Sequence, residues 1–100
     1  MAELNWTNEA SRWVIDIHDY IAIDNPQAAQ SIVSGIYRSA QILAIFPRAG
    51  YLHRRELDGE VRIILYRHYR IAYLLNAGAE TAIDILGVFH GALDIDQYFP

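Results

Sequence analysis

The sequence predicts a two-layer α+β domain of order β-α-α-β-β-β-β, a helical hairpin packed on an antiparallel sheet. Three observations predict it. Apolar residues recur at three- and four-residue spacing from 10 to 21 and again from 29 to 43, the period of helices that bury one face. After Pro47 the pattern changes to short runs of branched and aromatic residues separated by turn signals, which is how strands read. A chain of 100 residues supports a single core, so residues 1–100 form one domain. The hairpin is then the available cover for the sheet's apolar face.

Glu3-Leu4-Asn5-Trp6-Thr7 alternates apolar and polar residues like a short strand. Thr7 or Asn8 can cap the first helix, and Glu9 sits favourably in its first turn. Its apolar stripe is Ala10, Trp13, Val14, Ile17, Tyr20 and Ile21. Asp24-Asn25-Pro26 closes it and opens the next, because the residue before proline leaves helical geometry, Asn25 can cap, and Pro26 suits the first helical position. The second stripe, Ala29, Ile32, Val33, Ile36, Ala40 and Leu43, stops at Phe46-Pro47. So short a connection makes the two helices antiparallel neighbours. Residues 48–52 read as loop and 53–57 as strand, with Asp58-Gly59 as a hairpin turn. Strands follow at Val61–Arg67, Arg70–Asn76 and Ala82–Phe89, the last two joined by a turn over 76–80.

Composition narrows the function classes. With 53% hydrophobic and 20% charged residues, the chain is too apolar for intrinsic disorder. No apolar run approaches the roughly 20 residues that span a bilayer, and no basic-then-apolar leader opens the chain. A cytoplasmic protein without membrane contact is therefore expected. There is no cysteine, hence no disulfide framework and no thiolate nucleophile or ligand. His18, His53 and His68 lack metal-ligand spacing and no glycine-rich phosphate loop exists, so neither metal nor cofactor is expected. The net charge of −4 is unevenly spread. All eight basic residues are arginine, and Arg48, Arg54, Arg55, Arg62, Arg67 and Arg70 fall in one stretch against three acids, Glu56, Asp58 and Glu60. A local basic patch on an acidic chain points to one specific anionic contact rather than to sequence-specific nucleic-acid binding. The alternative is that these arginines pair with neighbouring acids on a solvated sheet.

The element order, with the residues at its joints, resembles the RelE/ParE superfamily of bacterial toxins. The resemblance covers nearly the whole chain: Trp6-Thr7 before an acidic amphipathic helix, Asp19-Tyr20-Ile21-Ala22 shortly before Asn25-Pro26-Gln27-Ala28-Ala29, then Ile45-Phe46-Pro47-Arg48-Ala49-Gly50. It continues through Arg55-Glu56-Leu57, the run from Arg62 to Arg67, and Ile85-Leu86-Gly87-Val88-Phe89-His90-Gly91. The long helical hairpin and the ending resemble the ParE branch more than the RelE branch. The resemblance implies the toxin of a type II toxin–antitoxin pair of the plasmid-stabilisation kind, neutralised by direct binding of a cognate, ParD-like antitoxin. ParE-type members poison DNA gyrase, whereas RelE-type members cut messenger RNA on the ribosome. One fold carries both activities. A non-toxic member that only binds antitoxin is a third reading.

The residues weigh these alternatives. Metal-independent RNA cleavage needs a base for the 2′-hydroxyl, cations for the phosphate and an acid for the leaving oxygen. Glu56, Arg62 and His90 have that chemistry and sit where some ribonuclease members carry comparable groups. Arg54 or Arg70 could add phosphate contacts. Against this stand the absence of lysine and the acidic balance, since a ribosome-binding ribonuclease carries broad positive charge. A cross-strand ion pair of Glu56 with Arg55 or Arg62 is the expected use of that acid. No catalytic residue is favoured. For binding, Ile15 lies off the first helix's stripe, Ile42 and Ile45 lie off the second's, and the outer face from Gln27 to Gln41 is nearly uncharged. These three isoleucines, with Arg54, Arg67 and Arg70 facing an acidic segment, are the antitoxin-contact candidates. Leu93, Ile95, Tyr98 and Phe99 of the apolar tail are the target-contact candidates; the tail can also be an ordinary packing element.

Overall fold

The computed structural model describes residues 2–78 and 82–91. Its elements are β1 (Glu3–Trp6), α1 (Asn8–Ala22), α2 (Pro26–Ile45), β2 (Tyr51–Glu56), β3 (Gly59–Tyr66), β4 (Tyr69–Asn76) and β5 (Ala82–His90). The strands form one five-stranded sheet in the order β1-β5-β4-β3-β2. The last four make the expected antiparallel meander. β1 joins them in parallel, with Leu4 beside Ile83 and Trp6 beside Ile85, so the sheet is mixed.

Cap chemistry sets the helix starts. The Thr7 hydroxyl accepts from Ala10 N at 3.1 Å and donates to Ile85 O at 2.7 Å, so one side chain both starts α1 and ties it to β5. Asn25 caps α2 by accepting from Ala28 N at 3.0 Å, with Pro26 opening the helix. α1 lies over β5, and α2 lies over β1 and β3. The main core joins Ala10, Val14, Ile36, Ala40 and Leu43 of the helices to Ile71, Tyr73, Leu75, Ile83, Ile85 and Val88 of the sheet. Tyr20, placed on the α1 stripe by its spacing, is 78% exposed. It stands about 100° around the helix from Ile21, on the flank that Trp13 occupies two turns earlier. There Trp13 meets Phe89 edge-on with ring centroids 4.7 Å apart.

The second sheet strand begins at Tyr51, two residues before the sequence pattern places it. Gly50 N donates to the Tyr73 hydroxyl at 3.0 Å, and a Cβ at Gly50 would come within 2.8 Å of Ile63 O and of the Tyr73 ring. The chain can thus lie flush on β3 immediately after Gly50, and a bulge between Leu52 and Arg54 keeps it paired. The hairpin turn is Leu57-Asp58, one residue earlier than Asp58-Gly59. Gly59 is already strand, at φ 151, a conformation that needs glycine. Of the turn expected over 76–80, residues 79 and 80 lie outside the described residues. No described helix is long and apolar enough to cross a membrane.

Candidate partner-binding site

Exposed apolar residues are spread over the surface: Tyr20 and Ile23 lie near the turn between the helices, Leu57 in the β2–β3 turn and Leu65 on β3. One group gathers at the end of α2. Ile15, Ile42 and Ile45 are 57%, 51% and 62% exposed. Helix α2 stops where Phe46 turns out of helical geometry before Pro47, which leaves the Phe46 side chain 63% exposed. Ile45, Phe46, Pro47, Arg48 and Ala49 together line an open cleft of about 520 Å³. Neither Ile15, on α1, nor Ile42, one turn earlier on α2, is among its lining residues. Phe46 and Arg48 were missed by sequence reasoning as site residues because Phe46-Pro47 read only as a helix stop. The available signal was a large aromatic at a helix terminus, where half its surroundings are solvent.

The wall of this cleft is held rigidly. The Tyr73 hydroxyl donates to Pro47 O at 2.7 Å while accepting from Gly50 N, and Arg62 Nη1 donates to Gly50 O at 2.7 Å. Arg62 Nε also donates to Glu60 Oε1 at 2.9 Å. The same carboxylate takes Arg48 at 2.9 Å and Arg55 at 3.1 Å. Three guanidinium groups thus share one carboxylate. The hydrogen bond from Arg62, then the charges of Arg62, Arg48 and Arg55, hold Glu60 below the ordinary carboxylate range despite its partial desolvation. Burial pushes the Tyr73 hydroxyl up, against the opposing Gly50 hydrogen bond and the nearby arginine charges.

The arginine-rich stretch is therefore divided rather than gathered into one patch. Glu56 pairs with Arg54 at 2.7 Å, and not with Arg55 or Arg62 as expected. Residues two apart on a strand share a face, so Glu56 and Arg54 point one way while Arg55 and Glu60, paired across the strands, point the other. Arg67 occupies the β3–β4 turn at φ 53, with its guanidinium 5.6 Å from the Tyr66 ring centroid and its Nε on the Tyr66 hydroxyl at 3.2 Å. Arg38, Tyr66 and Arg67 line a polar groove with Gln27, Gln30, Ser31 and Ser34. Arg70 lies half-buried on β4 opposite Phe89.

The ribonuclease trio does not converge. His90 is registered with Tyr69, and Glu56 with Gly59, itself opposite Asn76. Seven residues of β4 separate these levels, roughly 23 Å at 3.3 Å per residue. Arg62 sits between them, committed to Glu60 and Gly50 O. His90 instead stacks near His68, with ring centroids 6.5 Å apart, and meets Tyr69 edge-on. Among the described residues no three histidine or acidic side chains gather as a metal ion would require. Leu93, Ile95, Tyr98 and Phe99 lie outside the described residues.

Comparison with known proteins decides the family. Residues 4–95 match the ParE toxin of the type II toxin–antitoxin system parDE. The chain belongs to the ParE toxin family. Among solved structures, it is similar to a chain of the chromosomal ParDE toxin–antitoxin system from P. aeruginosa, with a TM-score of 0.70 and 25% identity over 90% of this chain and 96% of that one. A chain of the toxin–antitoxin complex RelBE2 from Mycobacterium tuberculosis shares the fold, with a TM-score of 0.58 and 24% identity over 89% and 96% of the two chains. No individually curated protein matches the sequence. The ParE and RelE branches thus share this fold, and the family match falls on the ParE side.

Proposed function

We propose that this ParE-family toxin inhibits DNA gyrase and is held inactive by a cognate antitoxin that binds it directly. The observation that carries the reading is the ParE family match over residues 4–95. The separation of Glu56, Arg62 and His90 supports the same branch, because a ribonuclease must bring base, cation and acid to one phosphodiester. Inhibition then needs no covalent chemistry from the toxin: protein contact with the gyrase–cleaved DNA complex stabilises that complex and blocks religation. Leu93, Ile95, Tyr98 and Phe99 are proposed as target contacts.

The antitoxin contact is proposed at the α2 end. An apolar anchor seated among Ile42, Ile45 and Phe46 would desolvate little charge, and an acidic residue flanking it would meet Arg48. Such a segment folds as it binds, so its affinity depends on how much apolar surface it covers. The experiment is induction of the chain alone in bacteria and again with its antitoxin. The reading expects growth arrest with chromosome breaks in the first case and normal growth in the second. Arrest without breaks, accompanied by cut messenger RNA, would move the protein to the RelE type of activity. Unaffected growth would leave it an antitoxin-binding member without toxicity.

A further inference from the structure

The groove between α2 and the β3–β4 turn encloses about 580 Å³, and its described lining is hydrogen-bonding side chains throughout. Gln27, Ser31, Ser34 and Arg38 follow one another at four, three and four residues along α2, which puts them on a single helix face. Arg38 is the only charged residue of that helix. Across the groove, Tyr66 lies so close to the α2 backbone that a Cβ at Gly35 would land on its hydroxyl. That hydroxyl accepts from Arg67 Nε at 3.2 Å, so the Arg67 guanidinium is held beside the helix at the level of Gly35. Arg38 stands three residues further on, about 5 Å along the axis. Two guanidinium groups therefore border one end of the groove. Arg48, Arg54, Arg55 and Arg62 are each engaged by Glu56 or Glu60. No acid lines this groove, and among the described residues no carboxylate pairs with Arg38 or Arg67. Arg67 also holds its backbone at φ 53, a left-handed conformation that tight hairpin turns usually give to glycine or asparagine. Strain of this kind gathers where a side chain must be aimed.

We propose that this groove binds the phosphate backbone of DNA, with Arg38 and Arg67 on one phosphate and the serine and glutamine side chains of α2 on the oxygens of its neighbours. Arginine, serine, glutamine and tyrosine are side chains that contact phosphate and sugar oxygens in protein–DNA complexes, without reading sequence. Two guanidinium groups that arrive from different elements suit a tetrahedral phosphate, whose oxygens face several ways. A carboxylate's two oxygens are satisfied by a single fork. From Gln27 to Arg38 the stripe runs about 16 Å, long enough for several nucleotides at about 3.4 Å each. Its far end is the first turn of α2, which carries no acid and where the helix dipole is positive. The chain's net charge of −4 keeps free DNA weakly held, so the contact matters where a partner already presents the DNA. That the backbone is DNA rests on the gyrase reading; the phosphate chemistry of the groove does not.

The test titrates the full chain, carrying isotope-labelled arginine, with inorganic phosphate, with a short DNA duplex and with a glutamate-rich peptide. The side-chain resonances of Arg38 and Arg67 are expected to shift with phosphate and with DNA, while those of Arg54 and Arg55 stay in place. Affinity for the duplex should fall with salt at a log–log slope of roughly −2, as for two neutralised phosphates. Arg38→Gln and Arg67→Gln combined should weaken it about tenfold or more and flatten that slope. Arg67→Gly removes the guanidinium and eases the backbone, so it should lose affinity without losing Tm; unchanged affinity in either variant would overturn the proposal. So would DNA shifts centred on Arg48, Arg55 or Arg62. Shifts with the peptide as large as those with DNA would assign the groove to an acidic protein, and a response to phosphate with none to DNA would leave an ion site only; both overturn it. Gyrase is absent throughout, so failure here leaves the gyrase reading standing, and a chain that spares gyrase still reports on the groove.

Discussion

Replacing Tyr73 by phenylalanine removes one oxygen atom from the core and keeps every apolar contact of the ring. Tyr73 is fully buried, and its hydroxyl donates to Pro47 O at 2.7 Å while accepting from Gly50 N at 3.0 Å. These bonds pin the segment between α2 and β2 against the sheet. Phenylalanine strands both backbone groups, and Gly50 is itself buried. Two hydrogen bonds at about 1 kcal/mol each, with the added cost of a buried unsatisfied donor, give a loss of about 2–3 kcal/mol. For a domain of this size that lowers Tm by roughly 10–20 °C. Urea and thermal unfolding followed by circular dichroism would measure it, with an unchanged urea slope marking an intact fold. A loss under about 0.5 kcal/mol would refute the reasoning and mean that Arg62, through its own bond to Gly50 O, holds the segment alone.

Other consequences are equally direct. Glu60 is held below its ordinary value of 4.5, so its contribution to stability is complete above that pH and is lost as pH falls through the lowered value; Glu60→Gln should lose that acid limb, and an unchanged pH profile would contradict the three-arginine arrangement. A Cβ at Gly35 would land on the Tyr66 hydroxyl, so Gly35→Ala should destabilise by about 1–2 kcal/mol. In a Tyr66→Ala background the same change should instead stabilise by up to about 1 kcal/mol through helix propensity; equal effects in both backgrounds would refute the contact. Ile45→Asp should weaken antitoxin binding about 30-fold or more by setting a charge in the apolar cleft. Ile15→Asp tests whether the contact extends to α1, and wild-type affinity in both, by calorimetry, would place the antitoxin elsewhere.

What could be read from the sequence follows the range of the forces involved. Thr7, Asn25 and Pro26 mark helix starts because a cap is satisfied within three residues, and the two stripes mark the buried helix faces for the same local reason. The start of β2 at Tyr51 depends on a hydroxyl 23 residues away, and the parallel pairing of β1 joins the two ends of the described chain. Neither leaves a local pattern. Counting charges found the arginine-rich stretch but not the carboxylate that gathers three of its members, because that grouping is made by strand register. Tyr20 and Phe46 were assigned by position along a helix, whereas their exposure is set by what lies opposite. Glu56, Arg62 and His90 have the right chemistry in sequence and stand too far apart along the sheet to share one substrate atom.

The decisive measurement adds the purified toxin, freed of antitoxin, to gyrase with supercoiled plasmid and, in parallel, to a translating ribosome mixture. Gyrase poisoning gives accumulation of linear, gyrase-bound DNA with intact message. Cut message with normal gyrase turnover would contradict it.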